Sequence, residues 1–348
     1  MKRILATILA LMMLLSLFAV AGCDEAETPD TDAPADEVVV PAEPAYGQLK
    51  VENGKLCGED GKPVQLRGIS TSGIVYAQSR LNEKCVSTLV NDWGIDVLRL
   101  AMYTYEGHTG YPANKEQVLG ILESAIAVCQ KLNIYYMVDW HILFDGDPLI
   151  YKDDAVEFFS YISEKYGDDP RLIYEICNEP NTEKTGYEVT WENNIRPYAE
   201  EVIEAIRKND KDNIIIVGSS TYSQDLDITA QNPLEGDNLM YSMHFYAGSH
   251  GEELRQKTKA AIDAGLAVYV TEWGMTNSSG TGPIYREQTE EWIDFMDENG
   301  LSWCMWQYGS SVNEDSNVLY ARAGFAGDWA DDEYRESGLY VREILQRY

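Results

Sequence analysis

Glu179 and Glu272 each close a run of β-forming residues, Ile173-Tyr174-Glu175-Ile176-Cys177-Asn178-Glu179-Pro180 and Ala267-Val268-Tyr269-Val270-Thr271-Glu272-Trp273-Gly274. Two carboxyls at strand ends have the composition needed to split the linkage between two sugars. One, protonated, donates to the departing oxygen; the other, ionised, attacks or steadies the anomeric carbon. The neighbours suit such a site. The Asn178 amide can bond a sugar hydroxyl, Pro180 fixes the chain after its strand, and Gly274 permits a tight exit from the second. Retention of configuration needs the carboxyls about 5–5.5 Å apart and inversion a wider gap that admits water; the sequence leaves that distance open.

Carboxyls so distant along the chain need a scaffold that gathers strand ends. Short β-type runs fall at 65–69, 97–103, 135–141, 172–177, 214–218, 239–245, 267–271 and 302–306. Stretches of helical period lie between them at 84–93, 115–132, 153–166, 195–208, 252–264 and 285–299. This alternation predicts an α/β fold, a (β/α)8 (TIM) barrel, rather than an open doubly wound sheet. The segment 221–238 has no clean helical period. Ahead of the barrel, the turn residues Glu52-Asn53-Gly54-Lys55 and Glu59-Asp60-Gly61-Lys62-Pro63 predict a small β-hairpin closing its bottom.

Chemistry in such barrels gathers at the C-terminal ends of the strands. Arg67 and Ser70 fall there on the first strand, Arg99 and Tyr103 on the second, and Asp139, Trp140 and His141 on the third. Tyr222 follows the fifth strand, His244 and Tyr246 end the sixth, and Trp306 ends the eighth. Arg99, permanently cationic, suits stabilising an ionised Glu272, and Tyr246 can donate a hydrogen bond to the same carboxylate. His141 and His244 can hold substrate hydroxyls or water, or be packed structural histidines. Tyr76, Tyr103, Tyr222 and Trp306 are candidate platforms for the C–H face of a pyranose.

The chain has 348 residues, 45% of them hydrophobic, and a formal net charge of −31. That charge excludes nucleic acid and anionic membrane surfaces as partners and leaves neutral polymers acceptable. Lys2 and Arg3 precede an apolar run ending in Val20-Ala21-Gly22-Cys23, which resembles the lipobox of bacterial lipoproteins. The expected consequences are removal of residues 1–22, acylation of Cys23, and an exported protein anchored by lipid to the cell envelope or its surface. A transmembrane anchor is the competing reading of the run, less suited to small residues leading into a cysteine. Residues 23–46, rich in Asp, Glu, Pro and Ala, read as an extended tether, and 47–348 as the folded domain. Cys57, Cys85, Cys129, Cys177 and Cys304 remain, an odd number that makes no disulfide framework. The four histidines show no metal-ligand spacing, and no metal is expected.

Six segments in order, Leu66 to Ser70, Leu98 to Tyr103, Asp139-Trp140-His141, Ile173 to Pro180, Met243 to Gly248 and Thr271 to Gly274, resemble the motifs of glycoside hydrolase family five, in particular its bacterial endo-β-1,4-glucanases. The resemblance spans roughly 47–306. It implies the (β/α)8 fold and a retaining double displacement on a β-glucan, with Glu179 as acid/base and Glu272 as nucleophile. Arg99, His141, Asn178, His244, Tyr246 and Trp306 would line the subsite of cleavage, with no cofactor, and a monomer is expected. There are departures. Ser72 stands where close relatives have a histidine, Tyr76 and Tyr222 replace tryptophan platforms, and Gln307-Tyr308-Gly309-Ser310-Ser311 lacks a sugar-contacting lysine. A β-mannanase or other β-glycanase on the same barrel is therefore the alternative. A reading of another class is a catalytically silent, glycan-binding lipoprotein, against which both carboxylates are present. No Gly-x-Ser-x-Gly elbow supports a serine hydrolase.

Overall fold

The computed structural model describes residues 43–105, 107 and 109–348. The leader, Cys23 and most of the expected tether lie outside these residues. The domain starts with a hairpin of β1 (Lys50–Glu52) and β2 (Lys55–Cys57). Its turn residues Asn53 and Gly54 both take positive φ, 53° and 72°, the handedness that matches the twist of the flanking strands.

Eight parallel strands follow: β3 (Arg67–Thr71), β4 (Val97–Tyr103), β5 (Tyr135–His141), β6 (Leu172–Glu175), β7 (Ile214–Val217), β8 (Leu239–Tyr246), β9 (Val268–Gly274) and β10 (Trp303–Tyr308). They pair in sequence order, and β10 pairs back to β3 to close the barrel. Gly68 permits the β3–β4 approach, since a Cβ there would lie 2.0 Å from the Val97 carbonyl oxygen. The six expected helices are present, among them Lys115–Lys131, Lys152–Tyr166 and Arg286–Asn299. Only two four-residue turns, Ser220–Ser223 and Leu226–Thr229, follow β7, as the missing helical period predicts. A further helix, Glu336–Leu345, was not expected; Tyr340, Val341 and Ile344 bury it in the outer core.

Side chains alternate across each strand, and the two faces differ. Leu98, Tyr136, Val138 and Tyr174 face outward and pack with helix residues such as Leu122 and Phe158 in one large cluster. Inside the barrel, Val97, Tyr135, Met137, Ile173, Ile214 and Tyr269 form an apolar bottom layer, plugged from below by Leu49 and Leu56 of the hairpin segment. Two residues further along, the same inward faces turn polar: Val97 gives way to Arg99, Met137 to Asp139, Ile173 to Glu175. Above this layer, Ala101, Tyr246 and Trp306 cluster at the mouth with Tyr103 against them.

Two expected rim residues are misplaced. Trp140 turns outward from β5 and packs on Phe158 and Phe159 in the outer cluster. Arg67 begins β3 rather than ending it, so it sits at the opposite end from the mouth. There it bonds Gln65 and Asp297 and lies over the Tyr348 ring, 3.4 Å from its centroid. All five described cysteines are buried and free, small hydrophobes rather than cross-links.

Candidate active site

Arg99 organises the polar layer. Its Nε and Nη2 donate to the two oxygens of Glu175 at 2.6 and 3.2 Å. Nη2 also reaches Asp139 Oδ2 at 2.9 Å and Asn178 Oδ1 at 2.6 Å. Nη1 donates to Ser70 Oγ at 3.1 Å and to Glu272 Oε2 at 3.2 Å. Burial alone would lower the pKa of this guanidinium; the charges of Asp139, Glu175 and Glu272 instead hold it well above the usual arginine range. The other Glu272 oxygen, Oε1, accepts the Tyr246 hydroxyl at 2.6 Å. Burial and the charges of Glu272 and Glu179 push that phenol well above its ordinary value, so it stays a donor.

Glu272 reaches this position through a β-bulge. Between the pairs Ser242↔Tyr269 and His244↔Glu272, β9 uses one more residue than β8, and it does the same against β10 between Val270 and Trp273. The extra residue resets the alternation, so Thr271 meets His244 inside the barrel and Glu272 turns to the mouth as well.

Glu179 lies just past β6, and its Oε1 meets His244 Nδ1 at 2.9 Å. His244 Nε2 bonds Thr271 Oγ1 at 2.9 Å and lies 3.9 Å from Glu175. Burial opposes a charge on this ring, yet the bonds to Glu175 and Glu179 raise its pKa to about 9. His244 is therefore a cation at neutral pH, with both nitrogens donating to protein. His141 is the opposite case. Burial, reinforced by the Arg99 charge, lowers it to about 3, and the neutral ring donates from Nδ1 to Asp139 Oδ2 at 2.6 Å. Burial pushes the Asp139 carboxyl well above the usual carboxylate range despite Arg99. The Glu175 carboxyl, equally buried, is carried down to about 2 by Arg99 and His244.

The structure gathers Glu179, Glu272, Arg99, His141, Asn178, His244 and Tyr246 at one end of the barrel. Asn178 is wholly buried, its amide divided between Arg99 and the Ile142 carbonyl, 2.9 Å away. Trp306 stacks on His141 with centroids 5.3 Å apart and planes 7° from parallel, and Tyr103 meets the same ring edge-on at 4.4 Å. Tyr76 lies further out, 59% exposed and edge-on to Tyr103. Tyr222 stands in a separate wall, its hydroxyl on Glu183 Oε2 at 2.8 Å. Glu175 carried no expectation from sequence. The available signal was a lone carboxylate inside a strand otherwise buried on both faces, which requires an internal cation.

Ligand atoms of Glu179, His244 and Glu272 all lie within 4.8 Å of one another. As a metal site the trio is poorly disposed: Glu272 spends its oxygens on Arg99 and Tyr246, and His244 spends Nδ1 on Glu179. The same closeness places two carboxyls on opposite sides of one small space. That arrangement suits acid and nucleophile on a single bond.

The model of the cellulase (glycosyl hydrolase family 5) domain matches residues 57–312. An endoglucanase of Clostridium saccharobutylicum is 43% identical over 303 residues, 86% of this chain and 65% of its own length. Endoglucanase A of Evansella cellulosilytica is 46% identical over 289 residues, 82% of this chain and 57% of its own. The chain thus spans somewhat under two thirds of these curated relatives. Among solved structures, the catalytic domain of Thermobifida fusca endoglucanase Cel5A in complex with cellotetraose superposes with a TM-score of 0.80 at 34% identity, covering 86% of this chain and 98% of that one. With the family model matched across the barrel and the carboxyl pair standing just past β6 and on β9, the chain belongs to glycosyl hydrolase family 5.

Proposed function

We propose that the chain hydrolyses internal β-1,4 linkages of a glucan with retention of configuration, Glu272 acting as nucleophile and Glu179 as acid/base. The observation that carries this reading is the closeness of the two carboxyls, whose oxygens come within 4.8 Å. An attacking water has no room between carboxyls so close, which favours covalent over single displacement. Relatives named endoglucanases, and a neighbour bound to cellotetraose, support the glucan.

In the first step ionised Glu272 attacks the anomeric carbon while Glu179 gives its proton to the linkage oxygen, and the carbon–oxygen bond breaks. Arg99 and Tyr246 hold Glu272 at its two oxygens and aim it. In the second step Glu179, now ionised, takes a proton from water. The water oxygen attacks the anomeric carbon, and the bond to Glu272 breaks.

Glu272→Gln should lower kcat on carboxymethylcellulose by more than about 10³-fold while leaving the melting temperature and oligosaccharide binding near wild type. Full activity in that variant would refute the assignment and favour neither a silent barrel nor this nucleophile. Proton NMR of the first product should show the β-anomer; the α-anomer would overturn retention. Ser72, Tyr76 and the absence of lysine in 307–311 alter contacts to flanking sugars, so β-mannan is the second substrate to score by reducing ends.

The lipobox-like Val20-Ala21-Gly22-Cys23 supports a second part of the proposal, export and acylation at Cys23, with the acidic segment holding a monomeric domain away from the envelope. In a bacterial host, Cys23→Ala should move the protein out of the membrane fraction; an unchanged distribution would rule the anchor out. Sedimentation of the solubilised protein should return the mass of one chain.

A further inference from the structure

We propose that Phe144, paired with Tyr222, is the platform that holds glucosyl units on the leaving-group side of the cleaved bond. This rests on the hydrolytic reading above and adds to it a substrate-binding residue that no motif marks.

The side follows from the catalytic geometry. A cleft of about 670 Å³ has Phe144, Glu179, Lys184, Tyr222, His244 and Tyr246 in its walls, but not Glu272. The acid touches the linkage oxygen, whereas the nucleophile approaches the anomeric carbon from the opposite face. A space bordered by the acid and not by the nucleophile is therefore where the departing sugar lies. The rings of Trp306, His141, Tyr103 and Tyr76 form a separate series in mutual contact, with none of them in the walls of this cleft.

Phe144 is 51% exposed, and a phenyl ring has no polar tip to hydrate. The loop presenting it is pinned on both sides. Asp145 accepts the Leu143 amide at 3.0 Å and the Thr104 hydroxyl at 2.5 Å, and Asp147 accepts the Leu149 amide at 3.0 Å. The ring is thus held out on a fixed backbone. Lys184 Nζ stands 5.2 Å from its centroid and bonds Glu183 Oε1 at 3.0 Å, while Glu183 Oε2 takes the Tyr222 hydroxyl. Two aromatic faces are joined by an ammonium and a carboxylate. A β-linked pyranose with equatorial hydroxyls is the matching ligand, with apolar C–H faces for the rings and a polar rim for the ions.

The test compares cellopentaose, which extends beyond the cleaved bond, with β-cellobiosyl fluoride, which leaves only fluoride on that side. In Phe144→Ala the ratio of kcat/KM for cellopentaose to that for the fluoride should fall about 10-fold, and Phe144→Trp should restore it. An unaltered ratio in Phe144→Ala, with both substrates turned over by the wild type, would overturn this proposal alone. A wild-type protein inert toward both would overturn the glucan reading and this inference with it.

Discussion

At the residue scale the site is a problem in charge. Arg99 faces Asp139, Glu175 and Glu272, and Glu179 stands beside His244. One guanidinium faces three buried carboxyls, and the strain divides unequally. Asp139 is driven toward its neutral form, and its Oδ1 has no hydrogen-bond partner among the described residues. Glu175 keeps its charge and shares it between Arg99 and His244. The histidine completes the balance, its pKa raised from 6.5 to about 9 by Glu175 and Glu179 against the opposing effect of burial. A folded-state pKa above the unfolded value adds stability that is fully present below about pH 6.5 and lost as pH rises through about 9. The shift corresponds to on the order of 3 kcal/mol. The gap in melting temperature between wild type and His244→Gln should therefore be widest near pH 6 and close by pH 10. A gap constant across that range would mean that His244 carries no charge in the folded protein.

At the element scale, catalytic and stabilising ends of the barrel are separate. Leu56 of the hairpin plugs the bottom layer with Leu49, both buried, at the far end from Glu179. Leu56→Ala should cost about 2–4 kcal/mol in urea unfolding while kcat on a soluble glucan changes less than about twofold; a loss of kcat matching that of Tyr246→Phe would show that the two ends are coupled. This division also decides what the sequence could reveal. The strands were legible because two-sided burial makes them near-continuous apolar runs, and His141, Glu179 and Trp306 were legible because a closed barrel assigns chemistry to strand ends. Arg99, expected at such an end, lies mid-strand in β4, one layer below the mouth. Arg67 was misread since its strand starts two residues later than the apolar run suggests, which moves it from the mouth to the bottom. Nothing local marks the bulge that turns Glu272 inward, because its cause is pairing with β8 and β10. Phe144 escaped notice for a related reason: a phenylalanine in a loop becomes a platform only when Lys184 and Tyr222, from other loops, arrive around it. The Glu336–Leu345 helix is the one an eightfold strand–helix alternation places after the last strand, but the long irregular segment after Tyr308 separates it from that strand and hid it.

For the whole molecule, the net charge of −31 acts at a distance that none of the site contacts reach. Carboxymethylcellulose is a polyanion, so this chain repels it at long range, whereas hydroxyethylcellulose is neutral and meets no such barrier. Raising ionic strength from about 0.01 M to about 0.15 M shortens the Debye length from about 30 Å to about 8 Å. Long-range repulsion then fades while the buried contacts of Arg99 and His244, shielded from solvent, stay as they were. KM for carboxymethylcellulose should fall several-fold over that range with kcat constant, and KM for hydroxyethylcellulose should stay within about 1.5-fold. Initial rates on both polymers across a sodium chloride series decide the matter. Parallel movement of the two KM values would place the salt effect in the cleft itself, and the charge of the molecule would then have no part in choosing its polymer.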